Sequence, residues 1–128
     1  MKGRTMTLPQ QARLLRIYIG EKDHHKGKPL YAWIVQQARE QKLAGATVLR
    51  GMEGFGAHRI IHHSQLLTLS DDLPVVVEIV DTLEKIEAFL PVIEPAISEG
   101  LVTLEKVEVR LHKLREPAKR DTSGFECC

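Results

Sequence analysis

Apolar residues alternate with polar ones at the start of the chain. Over residues 12–19, Leu15, Ile17 and Ile19 fall on one side, and Leu14, Arg16 and Tyr18 on the other. A period of two predicts a strand. Residues 20–28 are charged and carry glycines, so a loop follows. Pro29 suits a first helical position, where its missing N–H costs nothing. Leu30, Ile34 and Ala38 then recur at i, i+4 and i+8, with Trp33 beside them, and Gly45 stands as the stop. That is one helical stripe. Residues 46–49 begin a second strand.

The second half repeats the pattern with more interruption. Gly51, Gly54 and Gly56 punctuate the second strand, which predicts an irregular excursion over 50–64 that rejoins a strand at 64–69. Residues 70–74 read as a turn, and 75–80 as a strand. Asp81-Thr82-Leu83-Glu84 offers an acidic or a hydroxyl N-cap, and Asp81 with Glu84 matches capping-box spacing. Ile86, Phe89, Leu90, Ile93 and Ile97 keep a helical stripe that Pro91 and Pro95 interrupt. A proline in a helix interior costs about 3 kcal/mol, so the helix is either kinked or ends early. Gly100 closes it. Residues 102–111 form the last strand, with Val107, Val109 and Leu111 on one side. Residues 1–11 read as a flexible leader, 12–112 as the domain, and 113–128 as a disordered tail.

The order β-α-β-β-α-β predicts an α+β, ferredoxin-like domain: a four-stranded antiparallel sheet with two helices on one face. The other face is expected to show Arg16, Tyr18, Glu78, Val80, Glu108 and Arg110. That mixture is either wet or packed against copies of itself. An uncovered, half-apolar sheet face in a small chain favours oligomerisation.

Composition narrows the class. The 128 residues are 43% hydrophobic and 27% charged, values that fit one soluble globular domain. A net charge of +1 argues against a nucleic-acid partner, which usually demands a basic excess. No apolar run reaches the roughly 18 residues that span a bilayer, and no apolar segment follows the basic residues at the start, so neither membrane insertion nor secretion is expected. Cys127 and Cys128 are adjacent and cannot staple a core. A cytoplasmic location follows.

Candidate chemistry centres on Arg50-Gly51-Met52-Glu53-Gly54-Phe55-Gly56. Glycines let backbone N–H groups approach an anion, and Arg50 and Arg59 add charge for a phosphate or carboxylate. The spacing is neither a dinucleotide fingerprint nor a Walker A loop. The alternative is that these glycines only bend a strand. The histidine pairs His24-His25 and His62-His63, with His58 and His112, raise a transition metal. Neighbours on an extended chain point to opposite sides, so each pair supplies one ligand, and solvated loop histidines are the simpler reading. No serine sits on a nucleophile elbow, and no catalytic constellation is apparent; an enzyme is not expected.

The segments 14–21 and 73–78, the pair Leu30-Tyr31, the run from Gly45 to Gly56 and Gly100-Leu101-Val102-Thr103 resemble the PII-like family catalogued as domain of unknown function 190. The likeness spans roughly 12–112, and Arg-Gly-x-x-Gly-Phe-Gly is its most specific part. The resemblance implies the ferredoxin-like fold and a homotrimer. It also implies an adenine nucleotide bound in clefts between subunits, and a T-loop that reaches a protein partner such as a membrane transporter or channel. Here that loop is 53–65. PII proteins carry a glycine-lysine element before the last strand. This chain has Leu104-Glu105-Lys106 there without flanking glycines, which leaves Lys106 and Arg110 as candidates only. The expected ligand set is therefore Arg50, Gly51, Gly54, Gly56, Arg59, Lys106 and Arg110. A trimeric metal-binding protein using His58, His62 and His63 is the alternative.

Overall fold

The computed structural model describes residues 7–56 and 72–115. Strand β1 spans Gln11–Gly20, and its odd-numbered residues from Leu15 on are sealed from solvent. A two-residue ribbon, β2 (His24–His25) and β3 (Lys28–Pro29), interrupts the predicted loop. Lys26 and Gly27 turn it with positive φ of 52° and 79°, the backbone hand that tight hairpins need. The His25 ring meets Trp33 edge-on, with centroids 4.3 Å apart.

Helix α1, Leu30–Glu40, buries Leu30, Ile34 and Ala38 as the stripe requires. Its end is a correction. The helix stops before Gly45, and Lys42 takes the left-handed position with φ of 64°. Lys42 N–H donates to Arg39 O and Leu43 N–H to Ala38 O, both at 3.0 Å. Those two bonds satisfy orphan carbonyls and hold a non-glycine residue in a disfavoured conformation.

Strand β4 is Thr47–Arg50, and β5 is Pro74–Asp81. Helix α2, Leu83–Ile93, is capped by Thr82, whose Oγ accepts from Lys85 N–H at 3.2 Å. The hydroxyl is thus the cap. Asp81 does something else: it is 2% exposed and accepts from Ala44 N–H and Thr82 N–H, each at 2.7 Å. It ties the approach to β4 to the start of α2. The helix runs through Pro91, ends at Ile93, and passes into a 3₁₀ turn, Glu94–Ala96, with Pro95 in its first positions. Strand β6 is Leu101–Glu108.

The sheet order is β4-β5-β1-β6, with every neighbouring pair antiparallel. With both helices on one face, this is the predicted ferredoxin-like arrangement. Leu15, Ile17, Ile19, Val75, Val77 and Ile79 of the sheet meet Ile34, Ile86, Phe89 and Ile93 of the helices. Each such side chain contributes about 1.5–3 kcal/mol on full burial.

The register corrects the predicted face of β6. Leu14 faces Glu105, Ala12 faces Val107 and Arg16 faces Thr103. Odd-numbered β6 residues therefore share the uncovered face. Glu108 lies opposite Gln11, on the helix side, and Arg110 lies beyond the strand. The β6 sequence changes phase, with Val102 and Leu104 on one parity and Val107 and Val109 on the other, and Val102 is the one that packs on the core.

Residues 8–10, just ahead of β1, are tied down. Val109 N–H donates to Gln10 O at 2.8 Å, and Leu8 N–H donates to His112 Nδ1 at 2.9 Å. The expected strand at 64–69 and residues 116–128 of the tail expected over 113–128 lie outside the described residues.

Candidate functional site

The uncovered face of the sheet is banded. At one end a row of apolar residues crosses all four strands: Leu49 opposite Val76, Val76 opposite Tyr18, and Tyr18 opposite Leu101. Leu49, Tyr18 and Leu101 are 49%, 36% and 57% exposed. The next row is polar. Arg16 Nε donates to Glu78 Oε2 at 2.9 Å, and Arg16 Nη1 donates to Glu105 Oε1 at 3.1 Å. The hydrogen bond to Glu78, aided by the charge of both glutamates, raises the arginine pKa above its usual value, so Arg16 stays cationic.

The apolar row leads into a cavity of about 620 Å³. Tyr18, Val76 and Leu101 form its floor; Gly51, Gly54, Phe55 and Gly56 form a wall, with Pro74 at its base. Glu53 and Glu99 also line it. The volume is in the range of small-molecule sites.

Two glycines are explained by close approach. A Cβ on Gly51 would lie 2.8 Å from Pro74 Cγ, and Gly51 N–H donates to Pro74 O at 2.7 Å. A Cβ on Gly100 would lie 2.7 Å from Tyr18 O. Neither position needs a positive φ; these glycines let backbone segments pack against the floor of the cavity.

The predicted ligand residues divide. Gly51, Gly54 and Gly56 meet at the cavity. Arg50 does not: it lies opposite Val75, a core-facing residue, and its guanidinium donates to Glu21. Lys106 is opposite Arg13, five residues along β1 from Tyr18, or about 17 Å at the rise of a strand. Arg110 lines a separate hollow with Leu8, Gln10 and His112. Arg59, His58, His62 and His63 lie outside the described residues, and among the described residues no three His, Cys, Asp or Glu side chains gather as a metal site would need.

Sequence reasoning did not single out Tyr18, Phe55, Glu99 or Leu101 for the cavity. The signal for Tyr18 was present: an aromatic residue at an outward-facing strand position. Glu99 and Leu101 come from the turn into β6, and only the sheet order places that turn beside the glycine segment.

Known proteins agree with this architecture. The family model of domain of unknown function 190, described as Uncharacterized ACR, matches residues 12–109. A UPF0166 protein of Aquifex aeolicus is 45% identical over 97 residues, covering 76% of this chain and 91% of that protein. A UPF0166 protein of Methanocaldococcus jannaschii is 33% identical over 100 residues, covering 77% and 92%. Among solved structures, CPII of Thiomonas intermedia K12, a nitrogen regulatory PII-like protein bound to ADP, AMP and bicarbonate, superposes with a TM-score of 0.60. It shares 18% identity, over 77% of this chain and 88% of that one. CPII bound to ADP and bicarbonate gives a TM-score of 0.56, with the same identity and coverage. At that identity the likeness is one of fold. Sequence and fold together establish that the chain belongs to the domain of unknown function 190 (UPF0166) family, with a PII-like, ferredoxin-type architecture.

Proposed function

We propose that this chain is a PII-like regulatory protein of the cytoplasm, not an enzyme. It binds an adenine nucleotide or a related small anionic metabolite at a boundary between subunits. It passes the bound state to a protein partner, such as a membrane transporter or channel, through residues 53–65. The observation that carries this reading is the 620 Å³ cavity at the root of that segment, in a fold whose neighbour CPII was solved with ADP, AMP and bicarbonate.

The same end of the sheet supports a homotrimer. The row Leu49, Val76, Tyr18 and Leu101 is apolar and uncovered by either helix. Packing copies against this face removes it from water. A ligand that binds one arrangement of 53–65 better than another shifts that segment, and with it the affinity for the partner.

Isothermal titration of the purified chain with ATP, ADP, AMP and cyclic AMP tests this reading. Saturable heat from at least one, with a rise in melting temperature that grows with ligand concentration, is expected. No heat and no thermal shift with all four overturns the nucleotide reading. Light scattering after size exclusion is expected to give three times the mass of one chain.

A further inference from the structure

The segment after β1 sorts its charges by depth. Over residues 21–28, Lys22, His24, Lys26 and Lys28 are exposed, whereas Glu21, Asp23 and His25 are half-buried. The carboxylates are used inside the fold. Glu21 accepts from the Arg50 guanidinium, and Asp23 Oδ2 accepts from Gly20 N–H at 2.9 Å. Asp72, also half-buried, accepts from Lys22 N–H at 2.9 Å. The acidic groups thus sit beneath a ridge whose top is basic. A surface that approaches meets the lysines first, and screening over about 8 Å at physiological ionic strength weakens the deeper charges.

The ridge has a fixed shape. Lys26 and Gly27 turn the β2-β3 ribbon, with His24 opposite Pro29 and His25 opposite Lys28. Leu30 N–H donates to Asp23 O at 2.7 Å, and the His25 ring rests on Trp33. Lys28 Nζ donates to Gln36 Oε1 at 2.6 Å. That acceptor is neutral, so it holds the ammonium without cancelling its charge.

The kind of charge selects the partner. Residues 21–28 contain three lysines and no arginine, no aliphatic residue and no Phe, Tyr or Trp. The cores of protein interfaces are rich in Tyr, Trp and Arg and poor in Lys. Lysine is a hydrated point charge rather than a bidentate fork. A convex row of such charges suits a diffuse anionic surface, where each lysine adds its own attraction. Among the described residues no helix is long and apolar enough to cross a membrane, so such a contact is peripheral.

We propose that Lys22, His24, Lys26 and Lys28 dock this protein reversibly on an anionic lipid surface. The ridge also bears on the segment 53–65. Glu21 holds Arg50 ahead of it, while Glu21 N–H and Lys22 N–H donate to Leu73 O and Asp72 Oδ1 behind it. Docking therefore acts on both ends of that segment, and it does so whatever the cavity binds.

Co-sedimentation of the full chain with vesicles of phosphatidylserine and phosphatidylcholine in equal parts, and with phosphatidylcholine alone, tests this. Binding to the mixed vesicles at low salt, fading as salt rises, is expected, with none to phosphatidylcholine. Lys22→Gln/Lys26→Gln/Lys28→Gln is expected to bind the mixed vesicles at least about tenfold more weakly. Arg39→Gln/Lys85→Gln/Lys113→Gln removes the same charge from other exposed positions and is expected to bind as the wild type does. If the ridge variant melts at a lower temperature, Lys22→Gln/Lys28→Gln leaves the turn residue in place and carries the same test. Equal binding to both kinds of vesicle overturns the proposal. So does undiminished binding by the ridge variant, or an equal loss in the control variant. No binding to the mixed vesicles at low salt also overturns it, including the case in which these lysines bind a poly-glutamate peptide instead and mark an acidic protein partner.

Discussion

The two faces of the one sheet are built from the same strands and behave differently. On β1, Leu15 and Ile17 are sealed under the helices, while Arg16 and Tyr18, their immediate neighbours in sequence, stand on the uncovered side. The core of the sealed face is apolar, and among the described residues the one buried charge there, Asp81 at the end of β5, accepts from two backbone N–H groups, since an unpartnered charge would lack water. The uncovered face holds the Arg16, Glu78 and Glu105 cluster beside an apolar row. Stability resides on the first face, and the recognition proposed above on the second. A surface that binds must keep apolar and polar groups available, and a helix laid across it would consume both.

Phe89 separates the faces most sharply. Phe89→Ala removes a fully buried ring from between α2 and the sheet, and a loss of about 3–5 kcal/mol is expected in urea unfolding. Tyr18→Ala on the other face is expected to change the unfolding of the isolated chain by no more than about 0.5 kcal/mol, while weakening self-association in size exclusion. A large stability loss from Tyr18→Ala in a monomeric sample would break the division.

The link between the layers is the next most sensitive point. Asp81→Ala leaves two backbone N–H groups without their acceptor, and a loss of about 2–3 kcal/mol is expected, read from the same urea midpoint. The glycine segment comes third. Gly51→Ala sets a methyl 2.8 Å from Pro74 Cγ, and overpacking of this kind costs about 1–3 kcal/mol. Gly45→Ala is the control, since nothing lies within 4 Å of its Cβ; it is expected to be neutral or stabilising by up to about 1 kcal/mol. The smallest effect is at Lys42. Lys42→Gly relieves a left-handed non-glycine residue, and a gain of at most about 1 kcal/mol in thermal unfolding is expected.

Much of the fold was legible because it follows from local periodicity. The stripe of Leu30, Ile34 and Ala38 and the alternation through Val75, Val77 and Ile79 both end on the core. The helix C-terminus was misread because Gly45 looked like the obvious stop, whereas two backbone hydrogen bonds let Lys42 serve. The fate of Pro91 was undecidable from spacing, since a proline in the last turn forfeits one bond without halting the helix. At the site, the glycines were legible and the cations were not. Gly51, Gly54 and Gly56 do line the cavity. Arg50 follows the pleat of β4 to the opposite face, which depends on its pairing with Val75.

The chain by itself determined the order of the main strands and helices, the sealed stripes of β1, β5 and both helices, and the glycine segment that walls the cavity. Hydrophobic periodicity is local and survives without tertiary context. Tertiary pairing decided which β6 residues face outward and which turn lies beside the glycine segment. It also set how far Lys106 stands from Tyr18. A strand shifted by one residue turns every side chain to the other face, and β6 carries apolar residues on both parities. Only its hydrogen bonds to β1 select between them.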